Sequence, residues 1–191
     1  IVRPALSEVE WIHFDEIGTL EAFNTDGLRS LLYTMPHIKN QKEKTMRYPG
    51  HVDIIRSLKE SNFFSETPID VNGTMISPLK VTSQILFNEW KLGLEEEELT
   101  VMRVKLIGKE NDEPKIVEWN LLDYYDNETR ISSMARTTGY TCTAAVELIA
   151  KDLFNEKGVF PPELVGKYKN CFDFILDYLK ERKVNWTRKE N

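Results

Sequence analysis

Alternation of apolar and polar residues predicts strands in several parts of the chain. The strongest pair covers residues 99–108 and 115–125, which a polar loop joins as a hairpin. Residues 10–22 alternate as well, with a break near residues 16–18. Asn72-Gly73 predicts a tight two-residue turn between two further short strands. The pattern therefore favours antiparallel pairing.

Apolar residues that recur every three or four positions predict five helices. Their approximate ranges are 28–35, 49–60, 78–92, 138–154 and 162–179. The buried face of the fourth helix is predicted at Cys142, Ala145, Val146, Ile149, Leu153 and Phe154. The charged tail at 180–191 is predicted to be frayed. We therefore predict an α+β fold over residues 1–191, with a largely antiparallel or mixed sheet and helices packed on one face.

One corner between a strand and a helix carries the clearest candidate chemistry. Residues 39–48 read as a polar strand, and Pro49 suits the first helical position, where a missing N–H costs nothing. Arg47 would lie beside the free N–H groups of the new helix, and together they can bind a carboxylate. The alternative for Arg47 is a surface salt bridge. For His51, on the first turn, the alternative is a surface histidine.

A second corner repeats this chemistry. Residues 131–136 are predicted as a short strand or loop, and Thr137, Thr138 and Gly139 lead into the next helix. Arg136 and the threonine hydroxyls could form a second carboxylate pocket, and we expect both corners to open into one hollow. The alternative is that Thr138 caps the helix and Arg136 pairs with an acidic residue.

Asn24 and Asp26 have two possible roles, because they stand between a strand and the first helix. Either can cap that helix, as Thr25 also can. Alternatively, one of them faces a ligand at the end of the strand.

Composition narrows the function further. The chain has 191 residues, 41% of them apolar, and a net charge of −6, which argues against a nucleic-acid partner. No apolar run of membrane length and no signal peptide is present, so we expect no membrane partner and a cytoplasmic location. Cys142 and Cys171 are interpreted as reduced core cysteines rather than a disulfide. No metal site is expected, since the three histidines are scattered and the acidic run at 95–98 is interpreted as a solvated loop.

The nine glycines are too widely spaced for a dinucleotide-binding G-x-G-x-x-G turn or a P-loop. We therefore expect this chain by itself not to bind NAD(P).

Four blocks resemble the substrate-binding second domain of the saccharopine dehydrogenase family, which includes saccharopine reductases and lysine 6-dehydrogenases. The blocks are FDEIGTLEAFNTDGL at 14–28, KTMRYPGH at 44–51, MARTTGY at 134–140 and GVFPPE at 158–163. Their order and separations are similar to those of the family from about residue 12 to about residue 166. The resemblance implies a fold like the second domain of these enzymes and of glyceraldehyde-3-phosphate dehydrogenase-like enzymes.

The resemblance also implies a function. A preceding Rossmann domain, which is missing from this chain, would hold NAD(P), and residues 162–191 could pack on it. The full-length enzyme would oxidise saccharopine to an imine, which water converts to glutamate and aminoadipate semialdehyde, or would run the reverse reaction. The isolated chain is expected to be inactive, and a homodimer is expected.

In this family-based assignment, Arg47, Arg136, Thr137 and Thr138 bind substrate carboxylates. Asn24 and Asp26 contact the amine or the cofactor edge. His51 is the first candidate for acid/base catalysis, and Tyr48 is the second. Two alternatives stay open: a lysine 6-dehydrogenase, and a non-catalytic module for dimerisation or amino-acid binding.

Overall fold

The computed structural model describes residues 2–93 and 96–191. The chain divides into two compact units, Ile1–Leu92 and Gly93–Asn191. Helices and antiparallel sheets occur in both, which confirms the predicted α+β class. The elements of unit 1 are β1 (Glu10–Phe14), β2 (Gly18–Asn24), α1 (Leu31–Thr34), β3 (Lys44–Arg47), α2 (His51–Glu60), β4 (Ile69–Val71), β5 (Thr74–Ile76) and α3 (Pro78–Glu89).

Unit 1 is built on an antiparallel sheet in the order β1-β2-β3. The predicted break at 16–18 is the turn between β1 and β2. Leu20, Ala22 and Phe23 of β2 are buried, so this central strand carries the core of the unit. The predicted turn at Asn72-Gly73 is confirmed: both residues have positive φ, 52° and 85°, as a hairpin turn of this kind requires.

Unit 2 contains β6 (Leu99–Glu110), β7 (Glu113–Tyr124), α4 (Ser133–Ala150), α5 (Pro162–Val165), α6 (Lys169–Glu181) and β8 (Trp186–Glu190). Its antiparallel sheet has the order β6-β7-β8. The predicted long hairpin is confirmed as β6 and β7. The polar loop shrinks to Asn111 and Asp112, whose φ values of 52° and 67° allow a two-residue turn.

The core of unit 2 lies between the sheet and the helices. Leu121 of β7, Leu179 of α6 and Val184 are buried against one another. Partly buried side chains surround them, namely Tyr140, Ile175 and Trp186. α4 and α6 pack side by side over this core.

Several local predictions for unit 1 were wrong. The polar strand is limited to Lys44–Arg47, and α2 starts at His51, so Pro49 lies in the preceding turn and not at the first helical position. The first helix has only four residues, and its N-cap is Ser30, which makes no side-chain capping bond. Asn24 does not cap this helix, because it is the last residue of β2.

The start and the buried face of α4 were also predicted wrongly. The helix begins at Ser133, so residues 133–136 belong to it rather than to the predicted strand or loop, and residues 137–139 lie within its first two turns. Its buried residues include Ala144 and Leu148, whereas Val146 and Ile149 are more than half exposed. Arg136 belongs to this buried face, and its guanidinium bonds to Asp123 and Asp126 of the same unit. Cys142 is exposed, and only Cys171 is a core cysteine.

The C-terminal region is more ordered than predicted. The single helix expected from 162 is divided into α5 and α6. The tail is not frayed, because β8 pairs with β7 over five residues from Trp186 to Glu190. Glu95 of the acidic run lies outside the described residues. Within the described residues, no helix combines the length and the apolar character that a bilayer crossing needs.

Candidate functional site

A buried carboxylate lies at the strand-to-helix corner of unit 1. Glu21 is in the middle of β2 and only 3% exposed. Its Oε1 accepts a hydrogen bond of 2.6 Å from the Val52 amide, and its Oε2 accepts one of 3.3 Å from the Gly50 amide. These are N–H groups of the α2 N-terminus that the helix cannot satisfy itself. The protein therefore supplies its own anion where a substrate carboxylate was expected.

Gly50 makes the sharp turn into α2 possible. It is the N-cap residue and has a φ of +98°, a conformation that a residue with a Cβ adopts only with strain. The turn brings the backbone of Gly50 and Val52 over β2, within reach of Glu21. The corner therefore depends on this glycine as well as on the buried acid.

Arg47 stands at the end of β3, directly opposite Glu21 in the β2–β3 ladder. Residues opposite each other in an antiparallel pair project from the same face of the sheet. The Arg47 side chain is exposed, and its Nη1 donates 2.8 Å to the Met46 carbonyl. The corner thus presents a cation at the surface above a buried anion.

His51 is the first residue of α2 and packs among aromatic rings. Its ring centroid lies 6.1 Å from that of Phe23, with the rings nearly parallel, and 6.4 Å from that of Trp90. Burial lowers the pKa of His51 below 6.5, the Arg47 cation lowers it further, and Glu21 raises it again in part. The imidazole is therefore mostly neutral near pH 7, so one of its nitrogens can accept a proton.

Of the other predicted site residues in unit 1, Tyr48 belongs to this corner and is 61% exposed. Asn24 lies elsewhere: it pairs with Lys44, three residues along the ladder from the Glu21–Arg47 pair, a separation of about 10 Å. Its side chain donates to Ser7 Oγ at 3.1 Å. Asp26 is exposed and lies 3.6 Å from Arg29.

Arg136 of unit 2 is buried and engaged with protein oxygens. Its guanidinium makes two bonds of 3.2 and 3.3 Å to Asp123, one of 2.7 Å to Asp126 and one of 3.1 Å to the Arg182 carbonyl. Burial opposes the positive charge, but the bonds and attraction to Asp123 and the attraction to Asp126 outweigh it and raise the pKa of Arg136. This position matches the alternative in which Arg136 pairs with acids.

Thr137 and Thr138 lie within α4 rather than at its start. The Thr137 hydroxyl donates to the Ser133 carbonyl at 2.9 Å, and the Thr138 hydroxyl lies 3.9 Å from the Met134 sulfur. The helix start itself is capped by the Ser132 hydroxyl, which accepts from the Ala135 amide. A role for the two threonines in substrate binding stays a prediction, as does a hollow shared by Arg47 and Arg136.

The start of α4 also has an internal carboxylate. Glu98 accepts a short hydrogen bond from the Ser133 amide, much as Glu21 accepts from Val52. At both helix N-termini that the sequence indicated as anion sites, a glutamate of the same chain therefore accepts a hydrogen bond from the backbone. A depression of about 310 Å³ lies next to Arg136; it is lined by Leu122, Asp123, Tyr124, Tyr125, Asp126, Asn127, Glu128, Arg136 and Lys183.

The strand pairings of the described residues differ from those of the usual dinucleotide site. All pairings between the named strands are antiparallel, whereas the usual pyrophosphate site lies between a parallel strand and a glycine-rich helix start. Nor do three or more His, Cys, Asp or Glu side chains come together as a metal site among residues 2–93 and 96–191.

Sequence reasoning missed Glu21, the residue that organises the corner. Its local sign in the sequence is that it is the one charged residue within the otherwise apolar run at 20–23. A charge at such a position is rarely buried without a partner, so it could have been matched to the nearby helix start. Asp123, between Leu122 and Tyr124, has the same mark.

Comparison with known families gives one match across most of the chain. The family described as saccharopine dehydrogenase C-terminal domain matches residues 3–184. The match spans both compact units and includes the corner at Arg47 and the network at Arg136.

Proposed function

This chain belongs to the saccharopine dehydrogenase C-terminal domain family, and from that premise we propose that it forms the substrate-binding part of an oxidoreductase acting on the CH–NH bond of an amino acid. Saccharopine is the proposed substrate. A homodimer and a cytoplasmic location are part of the same proposal.

The proposal rests on the presence of both Arg47 and His51 at the same strand-to-helix corner. Arg47 offers an exposed guanidinium, which can hold a planar carboxylate through parallel hydrogen bonds. His51 offers a neutral imidazole, since burial and the neighbouring Arg47 lower its pKa. An amino acid brings a carboxylate and an amine close together, and this corner has a partner for each.

Each side chain then has a defined task. Arg47 binds and orients the carboxylate, and His51 takes the proton from the amine nitrogen or returns it. Tyr48 is the second candidate for that proton transfer and is sufficiently exposed to reach a ligand. The aromatic rings of Phe23 and Trp90 lie next to the imidazole and reduce its contact with water.

The remaining predicted residues need a rearrangement or another route to the substrate. Arg136 could bind a second carboxylate only by exchanging bonds that it makes to Asp123 and Asp126. Thr137 and Thr138 accompany Arg136 in that second pocket. Asn24 and Asp26 would contact the amine or the cofactor edge from the far end of β2.

The hydride acceptor lies outside this chain in our proposal. The described residues lack the parallel strand and glycine-rich turn that hold NAD(P), so a separate dinucleotide-binding domain would supply it. The chain alone would then bind substrate weakly and have no oxidoreductase activity.

A lysine 6-dehydrogenase is the second candidate, and one observation favours it. Lysine has a single carboxylate, and the structure offers one exposed arginine at the corner while Arg136 is engaged internally. Comparing kcat/KM of the full-length enzyme for saccharopine and for lysine distinguishes the two. Lack of turnover with either would favour the non-catalytic binding module.

Arg47→Ala in the full-length enzyme tests the site itself. Losing a charged hydrogen-bond pair to the substrate should raise KM roughly tenfold to a thousandfold. Lys59→Ala is the matched control, because Lys59 is an exposed cation in the last turn of α2, away from the corner. An unchanged KM for Arg47→Ala would remove the corner from the substrate site.

A further inference from the structure

The Glu21 carboxylate bonds the backbone on both sides of His51. One oxygen accepts from Gly50, the residue before His51, and the other accepts from Val52, the residue after it. The same side chain stands opposite Arg47 in the ladder. The buried Glu21 carboxylate therefore lies next to both side chains that are proposed to bind the substrate, Arg47 and His51.

The location of Glu21 is costly unless the carboxylate is well satisfied. A carboxylate that is 3% exposed has lost most of its water, and hydrogen bonds must replace that hydration. Two backbone N–H groups at a helix N-terminus provide such bonds, and the helix dipole adds to the attraction. The charge of Glu21 and the position of the 50–52 segment are thus coupled.

We propose that Glu21 is a positioning residue that keeps the side chains of His51 and Arg47 where they can contact the substrate. This inference rests on the proposed function, since it concerns the same corner. Glu21 does not touch the substrate; it acts through the backbone of Gly50 and Val52. It also prevents those N–H groups from taking the substrate carboxylate, which is thereby directed to the Arg47 guanidinium.

The electrostatic surroundings of His51 allow the positioning to be measured without a substrate. The charged groups that act on the imidazole are Arg47 from β3 and Glu21 from β2. The side chains packed against it, Phe23 and Trp90, are uncharged. A change at Glu21 therefore alters the titration of His51 in a known direction.

The first experiment uses hydrogen–deuterium exchange in the full-length protein to measure how strongly Glu21 protects the backbone amides of residues 50–52. In Glu21→Gln the amide keeps one acceptor oxygen and gains an NH₂ group, so one of the Gly50 and Val52 N–H groups loses its partner. That amide should exchange roughly tenfold faster or more. Asp53→Asn is the matched control: it removes an exposed carboxylate from the same first turn and should leave this exchange unchanged.

The second experiment follows the His51 ring protons by NMR as pH is varied. Glu21→Gln should lower the pKa of His51 because the mutation removes an anion that raises it. Glu21→Asp separates charge from geometry, since it keeps the charge but is one methylene shorter. It should accelerate the exchange of the Val52 amide while shifting the His51 titration less than Glu21→Gln does.

The third measurement is steady-state kinetics with the preferred substrate. Glu21→Gln and Glu21→Asp should both lower kcat roughly tenfold or more, the range expected when an acid/base group is displaced. A purely structural glutamate would change stability but leave the pH profile of the folded enzyme as in the wild type.

The inference would be overturned if a folded Glu21→Gln enzyme had the same amide exchange, the same His51 titration and the same kcat as the wild type. If Glu21→Gln does not fold, the decision rests on Glu21→Asp, in which wild-type exchange of the Val52 amide together with wild-type kcat would overturn the inference. Failure of the proposed function is distinguishable, because it would appear as an unchanged KM in Arg47→Ala, while exchange and titration report on Glu21 without a substrate.

Discussion

Glu21 and Arg47 stand directly opposite each other in the β2–β3 ladder, and only the glutamate is buried. The two side chains bond to backbone groups rather than to each other, unlike the partners of a surface salt bridge. Glu21 turns to the α2 N-terminus, and the Arg47 guanidinium stays at the surface with one bond to its neighbouring carbonyl. The corner consequently presents an exposed cation at the protein surface.

The stability of the chain should depend on pH through His51. Its pKa in the folded protein lies below 6.5, so at slightly acidic pH the unfolded chain binds more protons than the folded one. The free energy of unfolding should therefore rise with pH up to about 6.5. As the pH falls through the folded-state pKa of His51, this contribution to stability is lost. Denaturant unfolding between pH 5 and 7.5 measures this slope, which His51→Gln should reduce.

Arg47→Ala provides the check on that pH dependence. Removing the cation takes away one cause of the lowered pKa, so the His51 titration should move toward its ordinary value and the slope should shrink. Identical slopes in the wild type, His51→Gln and Arg47→Ala would contradict the assignment.

Arg136→Met should strongly destabilise unit 2. The substitution leaves the Asp123 carboxylate, which is 5% exposed, without its guanidinium. Removing one partner of a buried ion pair costs about 3–5 kcal/mol. Thermal or denaturant unfolding measures the loss. Lys169→Met is the control, since its ion pair with Asp173 is exposed; an equal effect of the two substitutions would argue against a buried network at Arg136.

Trp186→Ala should loosen the C-terminal strand. Trp186 packs on the Leu121, Leu179 and Val184 cluster and pairs with Leu121 across β7 and β8. Because the indole is only partly buried, its loss should lower the free energy of unfolding by less than the loss of about 3–5 kcal/mol typical of a buried tryptophan. The exposed β8 residue Lys189, changed to alanine, should cost far less. Denaturant unfolding measures both losses, and an equal cost for Trp186→Ala and Lys189→Ala would contradict the prediction.

The isolated chain should not bind NADPH. Its sheets are antiparallel and the described residues lack a glycine-rich phosphate loop. Calorimetry with this chain and NADPH should give no binding heat, and the full-length enzyme is the positive control. Tight binding to the chain alone would overturn the assignment of the cofactor to another domain.

Local chemistry made much of the fold predictable from the sequence. Asn72-Gly73 and the alternation on both sides of residues 111–112 specify hairpins within a few residues, so their pairing needs no distant partner. The predicted start of the third helix at residue 78 is also correct, since Pro78 occupies the first position of α3. The α+β class follows from these elements and from the helical spacing between them.

The candidate site was less predictable because its key contacts span long stretches of chain. Glu21 reaches Val52 across 31 residues, and Glu98 reaches Ser133 across 35. Nothing near a helix start shows whether a distant carboxylate will fill it. Arg136 illustrates the consequence: its sequence neighbours suggested a ligand site, while Asp123 and Asp126 determine where it points.

The pairing of β8 with β7 sets the order in which the chain can fold during synthesis. β7 ends at Tyr124, yet its second neighbour begins only at Trp186. Unit 2 cannot complete its sheet until residues 186–190 have left the ribosome, and until then one edge of β7 is open to incorrect partners. Unit 1 carries no such delay, because β1, β2 and β3 all lie within its first 47 residues.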